Sequence, residues 1–266
     1  MRLVRIEWLK LKNYRTFYIL IGLFTIISTL VNYGISRGML SFKTNTMGKT
    51  STISMISSDY TFPMVWTNVA YYLGWCILFV CVLIITSIAN DYRYKTQRQH
   101  IIDGQSRLDY LHSKVTLVVA SSVGITVLYI LLCLIFGFVR GGGFQSKGME
   151  QIAYVFIYSL NYLSFCALLA LLIKRSGLTI MLLFAFLFVE SSIVGIAKGI
   201  AQTNIGKFFP LESSDGLFPL PFSSMAKSMV PTEMMDTHYG IMLGMSCLYI
   251  VLYYLMARWR IQSADL

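Results

Sequence analysis

Glu190 is the one acidic residue set well inside an apolar run, between Phe184, Phe186, Phe188 and Val189 on one side and Ser191, Ser192 and Ile193 on the other. An ionisable group at that depth costs roughly 2.5–3.5 kcal/mol on insertion scales, so it must face a helix bundle or a wet cavity. Two roles suit it equally: a pathway or gate residue, and a hydrogen-bonded anchor near the external end of its helix; a protonated carboxyl bonded to a neighbouring Ser or Tyr would satisfy either. Other chemistry is sparse. Cys76, Cys81, Cys133, Cys166 and Cys247 lie in apolar runs, where cysteine packs as a small hydrophobe. His100, His112 and His238 have no second ligand at metal-binding spacing, so no metal site is expected. Gly48-Lys49-Thr50 ends like a phosphate-binding loop, but the first glycine of that motif falls on Lys43. HExxH, GxSxG and paired intramembrane aspartates do not occur, so no catalytic residue is expected and the chain is not read as an enzyme by itself.

The elements that must position Glu190 are membrane spans. Of 266 residues, 56% are hydrophobic and 13% charged, against about 25% charged in a soluble domain, and the mean hydropathy is +0.65. Although the net charge is +10, the bases stand beside apolar runs, which suits lipid head groups and topology control and excludes a nucleic-acid-binding role. About 20 apolar residues cross a hydrocarbon core, and six runs reach that length: residues 17–35, 69–89, 115–139, 152–173, 178–197 and 239–257. Residues 1–14 carry Arg2, Arg5, Lys10 and Lys12, with Val4, Trp8 and Leu11 on one helical face, and read as a retained interfacial helix. With the N-terminus inside, 14 Lys and Arg face the cytoplasm and 8 the exterior. The positive-inside rule therefore places both termini in the cytoplasm.

Three connections stand out. Ser36 to Asn68 is rich in Ser and Thr and is read as a partly mobile external loop. Residues 198–238 are too long and too apolar for a simple loop, with Phe208, Phe209, Phe218 and Phe222 around Pro210, Pro219 and Pro221; chain of that kind has to be sheltered by protein or line a cavity. Gly195 with Gly199, and Gly240 with Gly244, form small-xxx-small pairs that permit close helix approach, within the bundle or between copies.

The third connection, Asn90 to Lys114, alone combines charge with helical periodicity: Arg93, Lys95, Arg98, Arg107 and Lys114 alternate with Ile101, Ile102, Leu108, Tyr110 and Leu111. A solvated topology loop would not need the apolar set, so a partner surface is implied. The order Asp91, Lys95-Thr96, Arg98, Ile101-Ile102, Gly104, Ser106-Arg107, Tyr110 and Lys114 resembles the intracellular loop of ABC-2 type ABC transporter permeases. Lys95 stands where that family often has Gly, and Gly104 where it often has Pro.

The resemblance implies an all-α integral membrane protein with an N-terminal amphipathic elbow helix (1–14), six transmembrane helices, a cytoplasmic coupling loop (91–114) and an external re-entrant region (198–238). In such a permease Asp91, Thr96, Arg98, Ile101, Ile102, Ser106, Arg107 and Tyr110 would contact the ATPase subunit, while Glu190, Phe208, Phe209 and Phe218 would be pathway or gate residues. It further implies no cofactor held directly, ATP and Mg acting through the partner ATPase, pairing as a homodimer or as a heterodimer with a related permease, and a place in the cytoplasmic membrane. An ATP-independent carrier built on Glu190 and a non-transporting scaffold are the competing expectations.

Overall fold

The computed structural model describes residues 12, 14–38, 41–46, 49–54, 59–96, 99, 104, 106–140, 143–200, 205–219, 221 and 238–263. Six helices there are long and apolar enough to cross a membrane: α1 (Arg15–Ser36), α2 (Met64–Arg93), α3 (Arg107–Val139), α4 (Glu150–Ile173), α5 (Ser176–Ile200) and, after the short α6 (Glu212–Asp215), α7 (Tyr239–Ser263). The chain is a multi-pass, predominantly helical membrane protein. Residues 1–11, with most of the expected elbow helix, lie outside the described residues.

The helices outrun the apolar runs that signal them. At 1.5 Å per residue the 30 residues of α2 span about 45 Å, more than a hydrocarbon core of about 30 Å needs. The surplus turns carry polar residues with partners inside the protein. At the start of α2, Asn68 donates to the Asp59 carbonyl at 2.6 Å, and at its end Asp91 is buried. α3 begins eight residues before the apolar run, because Ser106 and Asp109 form a reciprocal capping box: the Asp109 N–H donates to the Ser106 hydroxyl at 3.1 Å and the Ser106 N–H to the Asp109 carboxylate at 3.1 Å. The connection expected over 91–114 thus shortens to 94–106.

A second difference lies between α1 and α2. Strands β1 (Ser41–Thr46) and β2 (Lys49–Ser54) pair antiparallel, from Ser41 opposite Ser54 to Thr46 opposite Lys49. The stretch read as a partly mobile loop is a hairpin there, and its β-branched content (Thr44, Thr46, Thr50, Thr52, Ile53) favours extended backbone.

α4 occupies the centre, packed on α2, α3, α5 and α7, while α1 packs on α2. The core is built chiefly from α2, α3 and α4, including Trp66, Leu73, Ile84, Tyr129, Leu163 and Cys166. Near the α2 start, Phe62 sits so close to α3 that a Cβ at Gly137 would lie 2.5 Å from its ring, so that approach requires glycine. α1, α5 and α7 leave broad apolar faces uncovered, among them Ile26, Leu30, Met181, Phe188, Ile196, Val251 and Leu255. Among the described residues nothing lies within 4 Å of a Cβ placed at Gly195, Gly240 or Gly244, so these small residues mediate no close approach there.

Candidate functional site

Polar side chains gather at two places in the bundle. The first closes the loop between α2 and α3. Asp91, in the last turn of α2, and Lys114, two turns into α3, are both buried, and Lys114 Nζ lies 2.5 Å from Asp91 Oδ2. The Thr96 hydroxyl donates to Asp91 Oδ1 at 3.0 Å, and the Tyr110 hydroxyl lies 3.4 Å from Oδ2. Lys114 also stands over the Tyr110 ring, 5.4 Å from its centroid. Bonds to three more helices share this end: Asn90 donates to the Tyr14 hydroxyl at 2.8 Å, Lys174 rests 5.2 Å above the Tyr92 ring, and Arg107 donates to the Gln262 carbonyl at 3.1 Å.

This arrangement sorts the residues expected to meet a partner. Asp91 and Tyr110 turn inward and hold the loop's ends together instead of presenting themselves, because an isolated charge or phenol between apolar helices has to be paired. Thr96 joins them. Ser106 is the exposed helix cap, and Arg107 bridges to the last turn of α7. Arg98, Ile101 and Ile102 lie outside the described residues.

The second place is where the segment 205–219 enters the bundle. A 3-10 turn (Ile205–Phe208) leads into α6, and polar groups from three long helices hold the two. Glu190 of α5 accepts with Oε1 from the N–H groups of Leu211 and Glu212, at 2.8 and 3.0 Å. From α4, Asn161 Nδ2 donates to the Pro210 carbonyl and the Ser214 hydroxyl at 2.8 and 3.0 Å, and the Tyr162 hydroxyl donates to Asp215, 2.9 Å from each carboxylate oxygen. From α7, the Tyr249 hydroxyl donates to the Phe208 carbonyl at 2.7 Å and Ser246 meets Ser213 at 3.3 Å. These anchors lie deep along the helices. Asn161 is about 16 Å from the start of α4 and Glu190 about 15 Å from the end of α5, counting 1.5 Å per residue.

Phe218 is buried, its ring 4.7 Å from that of Tyr158, whereas Phe208 is exposed and Phe209 half-buried. The three phenylalanines therefore do not form one cluster. Glu190 Oε2, Asn161 Oδ1 and the Tyr253 hydroxyl are buried without a hydrogen-bond partner among the described residues. Asp215, absent from the sequence-level candidates, is crowded by protein; burial first, then the neighbouring carboxyl of Glu212 and, more weakly, that of Glu190 push it up to about 8 against the opposing bond from Tyr162. The signal that could have found it is an acid in the run Leu211–Leu217, where apolar residues and prolines flank ESSDG. Among the described residues no three His, Cys, Asp or Glu side chains are placed to hold a metal ion.

Both clusters fall within residues 39–266, which match a family model described as protein of unknown function (DUF2705). The chain belongs to the DUF2705 family. No curated protein matches it. In this DUF2705 member the match takes in α2 to α7 entire, so the buried pair at Asp91 and the anchored segment at Glu190 both lie inside the region that defines the family.

Proposed function

We propose that the chain is the permease subunit of an ABC transporter, an exporter that moves its substrate across the cytoplasmic membrane with ATP hydrolysed by a separate ATPase subunit. The observation that carries this reading is the closure of the 94–106 loop by the buried Asp91–Lys114 pair with Thr96 and Tyr110. A loop that only fixed topology would have no use for a buried ion pair at its base, since such pairs add little net stability but fix geometry. Locked at both ends to α2 and α3, the loop can transmit a push to rigid spans.

Charge supports the orientation. Arg93, Lys95, Arg107, Lys174, Arg175, Arg258 and Arg260 collect at the Asp91 end, which by the positive-inside rule supports a cytoplasmic position for that end and for both termini. The segment 205–219, anchored some 15 Å down the helices, then becomes a re-entrant element on the outer side, sheltered by protein as non-spanning chain must be at that depth. ATP and Mg would be held by the partner ATPase, and the open glycine faces of α5 and α7 suit a second permease copy, identical or related. The carrier reading built on Glu190 has less support, because Oε1 is occupied by two backbone amides and acts as an anchor.

Docking is tested by comparing Ile102→Ala with Arg98→Ala. An isoleucine fully buried in an ATPase cleft is worth roughly 1.5–3 kcal/mol, and a rim charge up to about 1 kcal/mol. Ile102→Ala is therefore expected to lose most ATPase retention on purification at normal membrane level, with Arg98→Ala close to the parent. Full retention in Ile102→Ala would remove the docking role.

A further inference from the structure

One of the anchors of the segment 205–219 is itself titratable. Asp215 closes α6 and accepts from the Tyr162 hydroxyl with both carboxylate oxygens, and Tyr158 bonds it more weakly. Among the described residues, the groups that act on it are Tyr71 of α2, Tyr158 and Tyr162 of α4, Glu190 of α5 and Glu212 of α6 itself. Those acting on Glu190 in turn are Glu212 and Asp215, with Tyr249 and Tyr253 of α7 on its remaining side. All are acids or phenols. The cation on the segment, Lys207, is turned to the Phe208 ring, 5.3 Å from its centroid. Three carboxyls thus share one crowded region, and a like charge there disfavours ionisation of its neighbours. Asp215 nevertheless keeps some solvent exposure, so protons can reach it.

We infer that Asp215 is a proton-binding site and that the 205–219 segment docks into the bundle with that proton bound, opening more readily when solvent takes it away. The inference goes beyond the permease reading and needs no ATPase; that reading adds only that the pH sensed is the exterior one.

The direction follows from linkage. Released from the bundle, Asp215 would ionise near the ordinary value of about 3.9; docked, it keeps its proton up to about 8. Between those values only the docked form holds the extra proton, so docking is strongest in acid and weakens by about tenfold per pH unit as pH rises, levelling off above the docked value.

Amide hydrogen exchange reads this directly. Protection of Leu211 and Glu212, whose N–H groups bind Glu190, would be followed in nanodiscs from pH 5 to 7, corrected for the intrinsic exchange rate, in the parent and in Asp215→Asn. The parent should lose about a hundredfold in corrected protection over that range, and Asp215→Asn should lose at least tenfold less. Parallel profiles in the two proteins would overturn the inference. Should Asp215→Asn not fold, the parent decides alone: a flat corrected profile from pH 5 to 7 overturns it. Tyr162→Phe removes the bond that favours the carboxylate and should move the levelling point to higher pH; a downward move would contradict the assignment.

Discussion

Lys114→Ala is expected to destabilise the subunit by roughly 3–5 kcal/mol, the range for removing one partner of a buried ion pair. The substitution takes Lys114 away from an Asp91 carboxylate that is buried against α3, where Thr96 and Tyr110 also bond it. Lys114 is itself 1% exposed, so the truncation also leaves a cavity between α2 and α3. The melting temperature in detergent and the level in membranes should both fall sharply. Replacing both charges, as in Asp91→Leu with Lys114→Met, should recover most of the loss, because an apolar pair of similar volume is often as stable as a buried ion pair. The double variant should then separate stability from coupling: well folded, yet poor in ATPase stimulation if the pair fixes loop geometry. A Lys114→Ala protein that melts with the parent would show that the pair is not what closes the loop.

Glu190→Leu carries the other large effect. It strips the acceptor from the amides of Leu211 and Glu212, each worth roughly 1–3 kcal/mol when left buried and unpaired. The 205–219 segment should open far more often and be cut by protease at positions protected in the parent. Glu190→Gln keeps a carbonyl oxygen in the same place and should retain most of the protection, although a neutral acceptor holds a bond about half as strong as a charged one. Equal loss in both would mean that the charge, not the acceptor, does the work, and would restore Glu190 as a candidate pathway group.

The spans were legible because an apolar run of about 20 residues has few other uses. Their ends were not, because Asn68, Asp91 and Lys114 look like loop residues until a partner 9 to 23 positions away is known. Glu190 was visible as an anomaly, but choosing between anchor and pathway required the position of two amides some twenty residues further on. Asp215 was hidden for the opposite reason: in a segment read for its phenylalanines and prolines, a lone acid next to glycine looks like a turn. The β1–β2 hairpin is hard to see in the sequence because Ser and Thr suit a polar loop as well as a strand, and only the pairing sets Ser41 opposite Ser54 and Thr44 opposite Ser51. Residue type alone does not separate contact groups from a clamp at Asp91 and Tyr110, because charge and aromatic character serve a buried clamp equally well.

Affinity purification of the chain from its own membranes, in a detergent mild enough to keep complexes, followed by an ATP hydrolysis assay, is the most direct measurement of whether this is an ABC permease. The account predicts a soluble ABC ATPase recovered in proportion to the chain, with hydrolysis that depends on ATP and Mg and falls when Ile102 is replaced by Ala. A folded chain recovered without any ATPase, and without hydrolysis, would contradict it.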